Sequence, residues 1–455
     1  MEFLNACVHD INGYLWGVFF LIPLLCGTGI FYTIRLRFVQ VRYFGWAARY
    51  LFGGASLFGK KADQSGMSSF QALATAVAAQ VGTGNVAGTA TAIVSGGPGA
   101  LFWLWLAAFF GMATIFAEAV LALTFRTRDA SGHIVGGPAY YITQGMGKRY
   151  RFLSYFFAIA IIIALGCIGN MVQSNSISLA MQSAFDIPLW VSGVITAVLA
   201  GSVFFGGIGR LASVTEKLVP IMAATYLLGG SFVILCHWDQ ILPAFELIFT
   251  AAFNPQAVGG GALGFTVAKA MQFGVARGLF SNEAGMGSTP HAHAIAKVEH
   301  PAEQGLVAIF GVFATVLIVT FTGIVILVTG VLDYQSTGIE LTQKAYDVGL
   351  GIYGKAFVAV CLFFFAYSTI IGWYFFGSQN VRFLFGPQGL FPYRLIVCLF
   401  IGIGAVLKVD LVWALADLFN GLMVIPNLIA LLCLHKVVVH CLDDFEEKLQ
   451  RLPNE

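Results

Sequence analysis

The chain has 455 residues, of which 58% are hydrophobic and only 10% are charged, and its formal net charge is +2 at pH 7. No water-soluble domain requires this much apolar surface, and many windows exceed the length of a membrane-spanning helix. The composition therefore predicts an all-α polytopic membrane protein, and the near-neutral charge gives no sign of nucleic-acid binding. The eight cysteines are scattered without a Cys-x-x-Cys pair, so they predict neither a metal site nor a disulfide framework.

Eleven membrane spans are predicted along the chain, and a less hydrophobic stretch, 237–258, is expected to lie along the outer interface. The spans cover residues 13–34, 67–93, 100–125, 152–184, 189–207, 218–236, 260–296, 304–331, 355–378, 391–407 and 411–435. The segment before the first span lacks a basic region, which favours a retained helix over a cleaved signal peptide.

Lysine and arginine are distributed unequally between the two sides of the predicted membrane. Of the 24, 19 fall on one side, whereas Lys344, Lys355 and Lys408 fall on the other and Lys269 and Arg277 lie within span 7. Because positively charged loops remain in the cytoplasm, this distribution predicts an N-terminus outside and a C-terminus inside.

The second span contains a polar, glycine-rich run, Gln-Val-Gly-Thr-Gly-Asn-Val-Ala-Gly, at residues 80–88. Each of Gly82, Gly84 and Gly88 weakens a helix by about 1 kcal/mol relative to alanine. We expect a broken helix whose freed carbonyl and N–H groups bind a solute and its driving ion. The alternative is a continuous helix that packs closely through its small residues, a role that Gly88 in particular could serve.

The seventh span is also rich in glycine and polar residues. Arg277 and Glu283 are costly at membrane depth, so we expect structural pairs near the cytoplasmic gate, either with each other across a bend or with Glu118 of span 3. Direct contact with the substrate is the alternative. Spans 2 and 7 lie five spans apart and therefore run in opposite directions, which predicts two five-helix units of inverted topology. The predicted organisation is an N-terminal helix and loop (1–66), a first repeat (67–236), a connector (237–258), a second repeat (259–436) and a cytoplasmic tail (437–455).

Two other polar clusters lie inside predicted spans. Ser368 and Thr369 of span 9 offer hydroxyl oxygens to a small, hard cation, although such side chains also bond to their own helix carbonyls. The polar stripe 169–176 of span 4 lines the same cavity or holds helices together. His291 and His293 are two residues apart and lack zinc-site spacing, and no nucleotide-binding or nucleophile motif is present. Energy must then come from an ion gradient or from the solute's own gradient.

Several motifs resemble those of the alanine or glycine:cation symporter family. The most specific is 96–111, which begins Gly-Gly-Pro-Gly-Ala-Leu-Phe-Trp and carries Leu104 where methionine is expected; the others are 82–92, Gly136–Tyr141 and Phe280–Gly285. The resemblance implies a leucine-transporter-type 5+5 inverted repeat with one extra N-terminal helix. It also implies sodium-coupled uptake of alanine or glycine across a bacterial inner membrane, with no enzymatic activity.

The resemblance carries over, motif by motif, to particular residues. It implies a site for the co-transported sodium at the carbonyls of Ala78 and Val81 and the hydroxyls of Ser368 and Thr369. The implied substrate residues are Gln80, Gly82, Thr83, Gly84 and Asn85 around the carboxylate, Met271, Phe273 and Gly274 around the side chain, and Asn170 and Trp373 nearby.

Two alternatives stay open at this point. One is a permease of the same fold that carries another small polar solute or is driven by protons. The other is a membrane-embedded enzyme that uses Glu118, Glu283 and the two histidines.

Overall fold

The computed structural model describes residues 2–17, 19–53, 66–254, 266–407 and 409–451, and these ranges are almost entirely helical. The α-helices, in chain order, are α1 (Glu2–Leu15), α2 (Leu21–Arg35), α3 (Val39–Arg42), α4 (Phe44–Phe52), α5 (Ser69–Gln80), α6 (Thr89–Gly96), α7 (Ala100–Thr124), α8 (Pro138–Tyr141), α9 (Arg151–Ile161), α10 (Asn170–Phe185), α11 (Leu189–Phe204), α12 (Gly207–Cys236), α13 (Ile241–Phe253), α14 (Val267–Asn282), α15 (Pro290–His293), α16 (Pro301–Val328), α17 (Gly338–Leu350), α18 (Gly354–Phe385), α19 (Leu390–Gly404), α20 (Val409–Cys433) and α21 (His435–Arg451).

A small antiparallel sheet follows α7. Strand β1 (Thr127–Arg128) pairs with β2 (Ile134–Val135), so that Thr127 lies opposite Val135. Asp129 lies just after β1 and accepts a hydrogen bond from Arg382, at the end of α18, at 2.5 Å. The hairpin is thereby attached to a helix distant in sequence.

Seven helical stretches in the described part of the chain are long and apolar enough to cross a bilayer. They are Ala100–Thr124, Lys148–Phe185, Gly207–Cys236, Pro301–Val328, Gly338–Phe385, Pro387–Gly404 and Val412–Cys433, and the apolar helices Leu21–Arg35 and Leu189–Phe204 are shorter. The chain is therefore a multi-pass membrane protein. The count of eleven spans, the inverted repeat and the domain boundaries stay predictions.

The first predicted span, 13–34, is divided in the structure. Helix α1 ends at Leu15 and α2 begins at Leu21. Pro23 lies in the first turn of α2, where its missing N–H leaves no helical hydrogen bond unmade. The predicted single N-terminal helix is thus two helices, followed by the short helices α3 and α4.

The sixth span also differs from its predicted start at 218, since α12 begins at Gly207. Gly207 has φ of +72°, a conformation that glycine adopts without strain, and the helix then continues through Arg210 and Lys217. Both side chains are exposed, so their charges remain on the helix surface.

Three segments outside the predicted spans contain helices: α13 in the connector, α17 in the outer loop and α21 in the tail. Helix α21 buries Val438, Leu442 and Phe445, which recur at helical spacing on one face. Because this segment contains many charged residues, its average composition does not reveal the apolar stripe.

The second span is interrupted, as predicted. Ser68 caps the start of helix α5: its side chain accepts from the Gln71 backbone N–H, while the Gln71 side chain accepts from the Ser68 N–H. It ends at Gln80, because Val81 has non-helical angles (φ −95°, ψ 86°). A π-helical turn over Gly84–Gly88 then leads into α6. The continuous-helix alternative is therefore wrong.

The seventh span is interrupted later than its glycine content suggests. Helix α14 is regular to Asn282, and residues 283–289 then form a turn in which Glu283, Gly285 and Gly287 all have positive φ. The predicted start of this span at residue 260 lies outside the described residues. A backbone bridge between Met67 and Ala296 joins the segment before α5 to the segment after α15.

Candidate functional site

Five oxygen atoms meet where α5 ends. The hydroxyl of Thr369, on α18, lies 3.0 Å from the carbonyl oxygen of Ala78 and 3.2 Å from that of Val81. The hydroxyl of Ser368 lies 3.2 Å from the Ala78 carbonyl, and both hydroxyls lie within 3.0 Å of the Phe365 carbonyl. We call these the oxygen cluster. All four residues of the predicted sodium site are in it.

The oxygen cluster contains more acceptors than donors. Each hydroxyl carries one hydrogen, so two hydrogens serve three carbonyl oxygens. Ser368 and Thr369 are fully buried, as are Ala78 and Val81. An excess of oxygen lone pairs in apolar surroundings suits a small, hard cation. The Phe365 carbonyl was missed by the sequence analysis, although a hydroxyl on a helix commonly contacts the carbonyl three or four residues earlier.

The backbone N–H groups just after the break point at amide side chains. The Gly82 N–H donates to Oδ1 of Asn85 at 3.0 Å, and the Thr83 N–H donates to Oε1 of Gln173 at 3.1 Å. Gln173 lies on α10, in the same polar stripe as Asn170, which was the predicted contact. Asn170 instead donates to the Gly166 carbonyl of its own helix at 3.0 Å.

Gln80 connects the two interrupted helices. Its Nε2 donates to the carbonyl oxygen of Asn282, at the end of α14, at 2.6 Å. Gly84 lies against the same helix, because a Cβ atom there would be 2.9 Å from the ring of Phe280. The two breaks are therefore neighbours in space, although 202 residues separate Gln80 from Asn282.

Several buried polar atoms around the two breaks have no partner in the described residues, as do others elsewhere in the fold. In native structures such atoms are rare, and each calls for a ligand, a water molecule or an ion. Those around the breaks are Gln80 Oε1, Thr83 Oγ1, Asn85 Nδ2, Asn170 Oδ1, Ser281 Oγ and Asn282 Nδ2.

Aromatic rings border these polar atoms. Phe280 contacts Trp373 and Trp413 with ring centroids 6.1 Å and 5.5 Å apart. Trp373 packs on Gly169, where a Cβ atom would lie 2.7 Å from the indole, and its Nε1 donates to Glu283 at 2.5 Å. Trp373 therefore lies at the site, as the resemblance implied.

The structure does not bring Met271, Phe273 and Gly274 to the break. Gly274 packs on α7, since a Cβ atom there would lie 2.2 Å from the Ala100 carbonyl oxygen, and Phe273 packs near Gly96 at the end of α6. Because α14 stays helical to Asn282, Phe273 lies about 10 Å along the helix from Phe280. The aromatic side chain at the break is Phe280, two turns later than predicted.

The predicted pairing of Arg277 is also wrong. Its guanidinium donates two hydrogen bonds of 3.1 Å to the carboxylate of Asp417, on α20, and lies 5.4 Å over the ring of Trp413. Helical geometry places Arg277 and Glu283 on different sides of α14, and only the structure reveals that α20 supplies the counter-charge. The pair was predicted to be structural, and this geometry agrees with that role.

Two buried carboxylates bind backbone and neutral side chains instead. Glu118 accepts from the N–H groups of Gly285 (3.1 Å) and Gly287 (2.9 Å) and from Asn427 (2.7 Å). Glu283 accepts from Trp373 and from the Ser288 hydroxyl. Among the residues that the structure describes, neither forms an ion pair.

The two histidines bind different partners. His291 contacts Asn380 through Nε2 at 2.8 Å, and His293 contacts Gln304 through Nδ1 at 3.0 Å. Neither histidine contacts Glu118 or Glu283 directly in the described residues, although Ser288 bonds to His291 through its carbonyl and to Glu283 through its hydroxyl.

Comparison with known proteins places this chain in a family. The model of the sodium:alanine symporter family matches residues 1–455. The chain belongs to that family. Proteins of this family are transporters and not enzymes, and sodium is their co-transported ion.

Individual relatives of this sodium:alanine symporter family member match over nearly its whole length. An uncharacterized transporter of Haemophilus influenzae is 44% identical over 454 residues, covering 98% of this chain and 97% of the relative. The sodium/alanine symporter AgcS of Methanococcus maripaludis is 42% identical, with 98% of each chain covered. The probable sodium/glutamine symporter GlnT of Bacillus subtilis is 41% identical, covering 98% and 91%.

Solved structures share the fold at low sequence identity. A manganese transporter of Eremococcus coleocola superposes with a TM-score of 0.54 at 15% identity, covering 78% of this chain and 74% of that one. A Na⁺-coupled sialic acid symporter superposes with a TM-score of 0.50 at 12% identity, covering 84% and 82%. This symporter family member thus has the fold of these solute transporters.

Proposed function

We propose that this protein imports alanine, glycine or both together with sodium, by alternating access across a bacterial inner membrane. The oxygen cluster carries the proposal. It joins α18 to the end of α5 at a backbone break, and its surplus of acceptors supports binding of a sodium ion at Ala78, Val81, Phe365, Ser368 and Thr369.

The amino acid would lie beside that cluster, at the two breaks. A substrate carboxylate could replace the amide oxygens that now accept from the N–H groups of Gly82 and Thr83, at the start of a half-helix. The unpartnered Oε1 of Gln80 would accept a hydrogen bond from the substrate ammonium. Phe280 and Trp373 would limit the length of the side chain, which favours alanine and glycine over glutamine.

The sodium gradient supplies enough energy for concentrative uptake. One sodium ion moving down 100 mV releases about 2.3 kcal/mol. A tenfold concentration gradient adds about 1.4 kcal/mol. These energies support accumulation of a zwitterion by several hundredfold.

Uptake of labelled alanine into proteoliposomes tests the proposal. We expect concentrative uptake with an inward sodium gradient and none when potassium replaces sodium. Unlabelled glycine should compete, and glutamine should compete at least about tenfold more weakly because a longer side chain meets Phe280 and Trp373. Sodium-dependent uptake of glutamine with no uptake of alanine or glycine would reject the assigned substrate.

A second candidate is coupling to protons, which the surroundings of Glu283 favour. This carboxyl group is fully buried at the break, contacts Trp373 and Ser288, and forms no ion pair with any described residue. It could bind and release a proton as the site opens to either side.

A pH gradient without sodium distinguishes the two candidates. If protons drive transport, an inward pH gradient alone should produce uptake that Glu283→Gln abolishes. If sodium alone drives transport, the pH gradient should produce none. Glu303→Gln, at the start of α16, is a matched control away from the site.

A further inference from the structure

A groove separate from the transport site lies between the α11–α12 turn and the adjacent ends of α18 and α19. Its lining includes Phe204, Ile208, Tyr374, Gln379, Arg382 and Arg394. None of these residues contributes to the oxygen cluster or to the groups around the two breaks. The groove lies on the side of the molecule that the lysine and arginine distribution assigns to the cytoplasm.

The two arginines of the groove differ in their partners. Arg382 forms an ion pair with Asp129 at 2.5 Å, so its charge is compensated. Arg394 donates through Nε to the Tyr374 hydroxyl at 3.1 Å and lies 5.4 Å over the ring of Phe205. In the described ranges, Arg394 forms no ion pair. Its remaining N–H groups are therefore available to an anion, and a guanidinium fits the oxygens of a phosphate.

A buried polar atom provides a second, independent observation. Gln379 is only 1% exposed and lines the groove, yet its Oε1 has no hydrogen-bond partner among the described residues. An amide oxygen accepts a hydrogen bond and does not favour an anion. A ligand that satisfies both residues carries a phosphate for Arg394 and a hydroxyl group for Gln379.

The surroundings of the groove indicate where such a ligand comes from. Phe205, Phe391 and Leu395 are 50%, 60% and 50% exposed, and they form an apolar surface of a membrane protein beside the groove. Basic pockets between transmembrane helices on the cytoplasmic side bind anionic lipid headgroups. Acyl chains would lie against the exposed apolar side chains while the phosphate reaches Arg394.

We propose that this groove binds one anionic phospholipid of the cytoplasmic leaflet, whose headgroup combines a phosphodiester with hydroxyl groups. The phosphodiester contacts the Arg394 guanidinium, and a headgroup hydroxyl donates to Gln379. Arg210, exposed on α12 and bonded within the described residues to the Ser202 carbonyl at 2.9 Å, adds positive charge at the edge of the groove.

Lipid binding to the purified, detergent-solubilised full chain tests the proposal. Retention of phosphatidylglycerol is measured by native mass spectrometry, with phosphatidylcholine as the zwitterionic reference and inorganic phosphate as a free-anion competitor. We expect preferential retention of phosphatidylglycerol. Arg394→Gln should weaken it about fivefold, which is the contribution of one basic residue near an anionic membrane surface. Arg394→Lys keeps the charge and should retain most of the binding.

Arg151→Gln is the matched control. Arg151 lies on the same side, is exposed and is stacked on Tyr155 at 5.3 Å, so the substitution removes the same charge from a similar contact outside the groove. It should leave retention unchanged. Equal retention of the two lipids, equal losses in the two variants, or displacement by millimolar phosphate would each overturn the proposal. Should Arg394→Gln fail to fold, the lipid comparison and Arg210→Gln still decide the question.

Discussion

Thr369 is the residue on which the proposed ion site depends most. Its hydroxyl reaches three carbonyl oxygens, those of Ala78, Val81 and Phe365, whereas Ser368 reaches two. Removing it takes away one oxygen ligand and leaves the Val81 carbonyl without its hydroxyl donor when sodium is absent, since Ser368 still reaches the other two carbonyl oxygens.

We expect Thr369→Ala to raise the sodium concentration for half-maximal alanine uptake by about tenfold or more, since an interaction with a charged group contributes roughly 1.5–3 kcal/mol. Thr369→Ser should restore most of the affinity. Thr225→Ala is the control, because Thr225 is exposed and, among the described residues, bonds to the Ile221 carbonyl of its own helix alone, at 2.8 Å. An unchanged sodium requirement in Thr369→Ala would place the ion elsewhere.

Gln80 is the second residue with a separable role. Its Nε2 donates to the Asn282 carbonyl, and its Oε1 lies against Gly311 of α16 and has no partner among the described residues, so its contacts are separate from the oxygen cluster. Gln80→Ala should therefore raise the half-saturating alanine concentration several-fold more than that of sodium. Titrating each ligand at saturating levels of the other measures both values. Equal changes would contradict a specific contact with the substrate.

Among the elements, the interrupted helix α5–α6 needs the absence of a side chain at only some of its glycines. A Cβ atom at Gly82 would lie 2.5 Å from the Thr369 hydroxyl and 3.0 Å from Gln173. At Gly88 the nearest atom would be 4.0 Å away, and the backbone there is α-helical (φ −64°, ψ −39°). Close packing was considered for Gly88, but the structure assigns the close approach to Gly82 and Gly84.

Gly82→Ala and Gly88→Ala form a matched pair. We expect Gly82→Ala to abolish sodium-dependent uptake while the protein still folds, because the added methyl group occupies the space between the break and α18. Gly88→Ala should keep uptake within about twofold and stabilise the helix slightly. Proteoliposome uptake and the melting temperature of both variants check this. The same loss in both would mean that backbone flexibility, and not the Gly82 contact, is what transport requires.

Over the whole molecule, the unequal distribution of basic residues predicts which side each loop occupies. Lys355 begins the α18 segment on the predicted outer side, and Lys448 lies in α21 on the predicted inner side. Both side chains are nearly half exposed (48% and 45%), and each pairs loosely with a carboxylate. They are therefore equivalent positions for a labelling experiment.

In a cysteine-free background, Lys355→Cys should react with a membrane-impermeant maleimide in intact cells. Lys448→Cys should react only after the cells are permeabilised. The reverse result would mean that the predicted topology is inverted. Labelling of both positions in intact cells would exclude an odd number of spans between residues 355 and 448.

The two interrupted helices were predictable from the sequence only in part. Glycine and polar residues inside an apolar segment predicted the break after Gln80, because an unpaired backbone is tolerated in lipid only where other groups satisfy it. The same reasoning wrongly placed the aromatic side chain at the break, which is Phe280 and not Phe273. Several glycines in span 7 were equally plausible sites of interruption. The helix ends just before Glu283, where Gly285 contacts Glu118 and Asn427, two residues that lie far away in sequence.

The sequence by itself determined that this is a polytopic helical membrane protein and which span carries the first break, and the family resemblance implied which hydroxyls approach it. Those conclusions follow from hydrophobicity, helix propensity and motifs, all of which are local. Tertiary structure alone decided that Arg277 pairs with Asp417, that Gln173 and Phe280 occupy the site, and that Phe365 completes the oxygen cluster. Partners on different helices are selected by the register in which those helices pack, and periodicity along one segment does not encode the rotation of another.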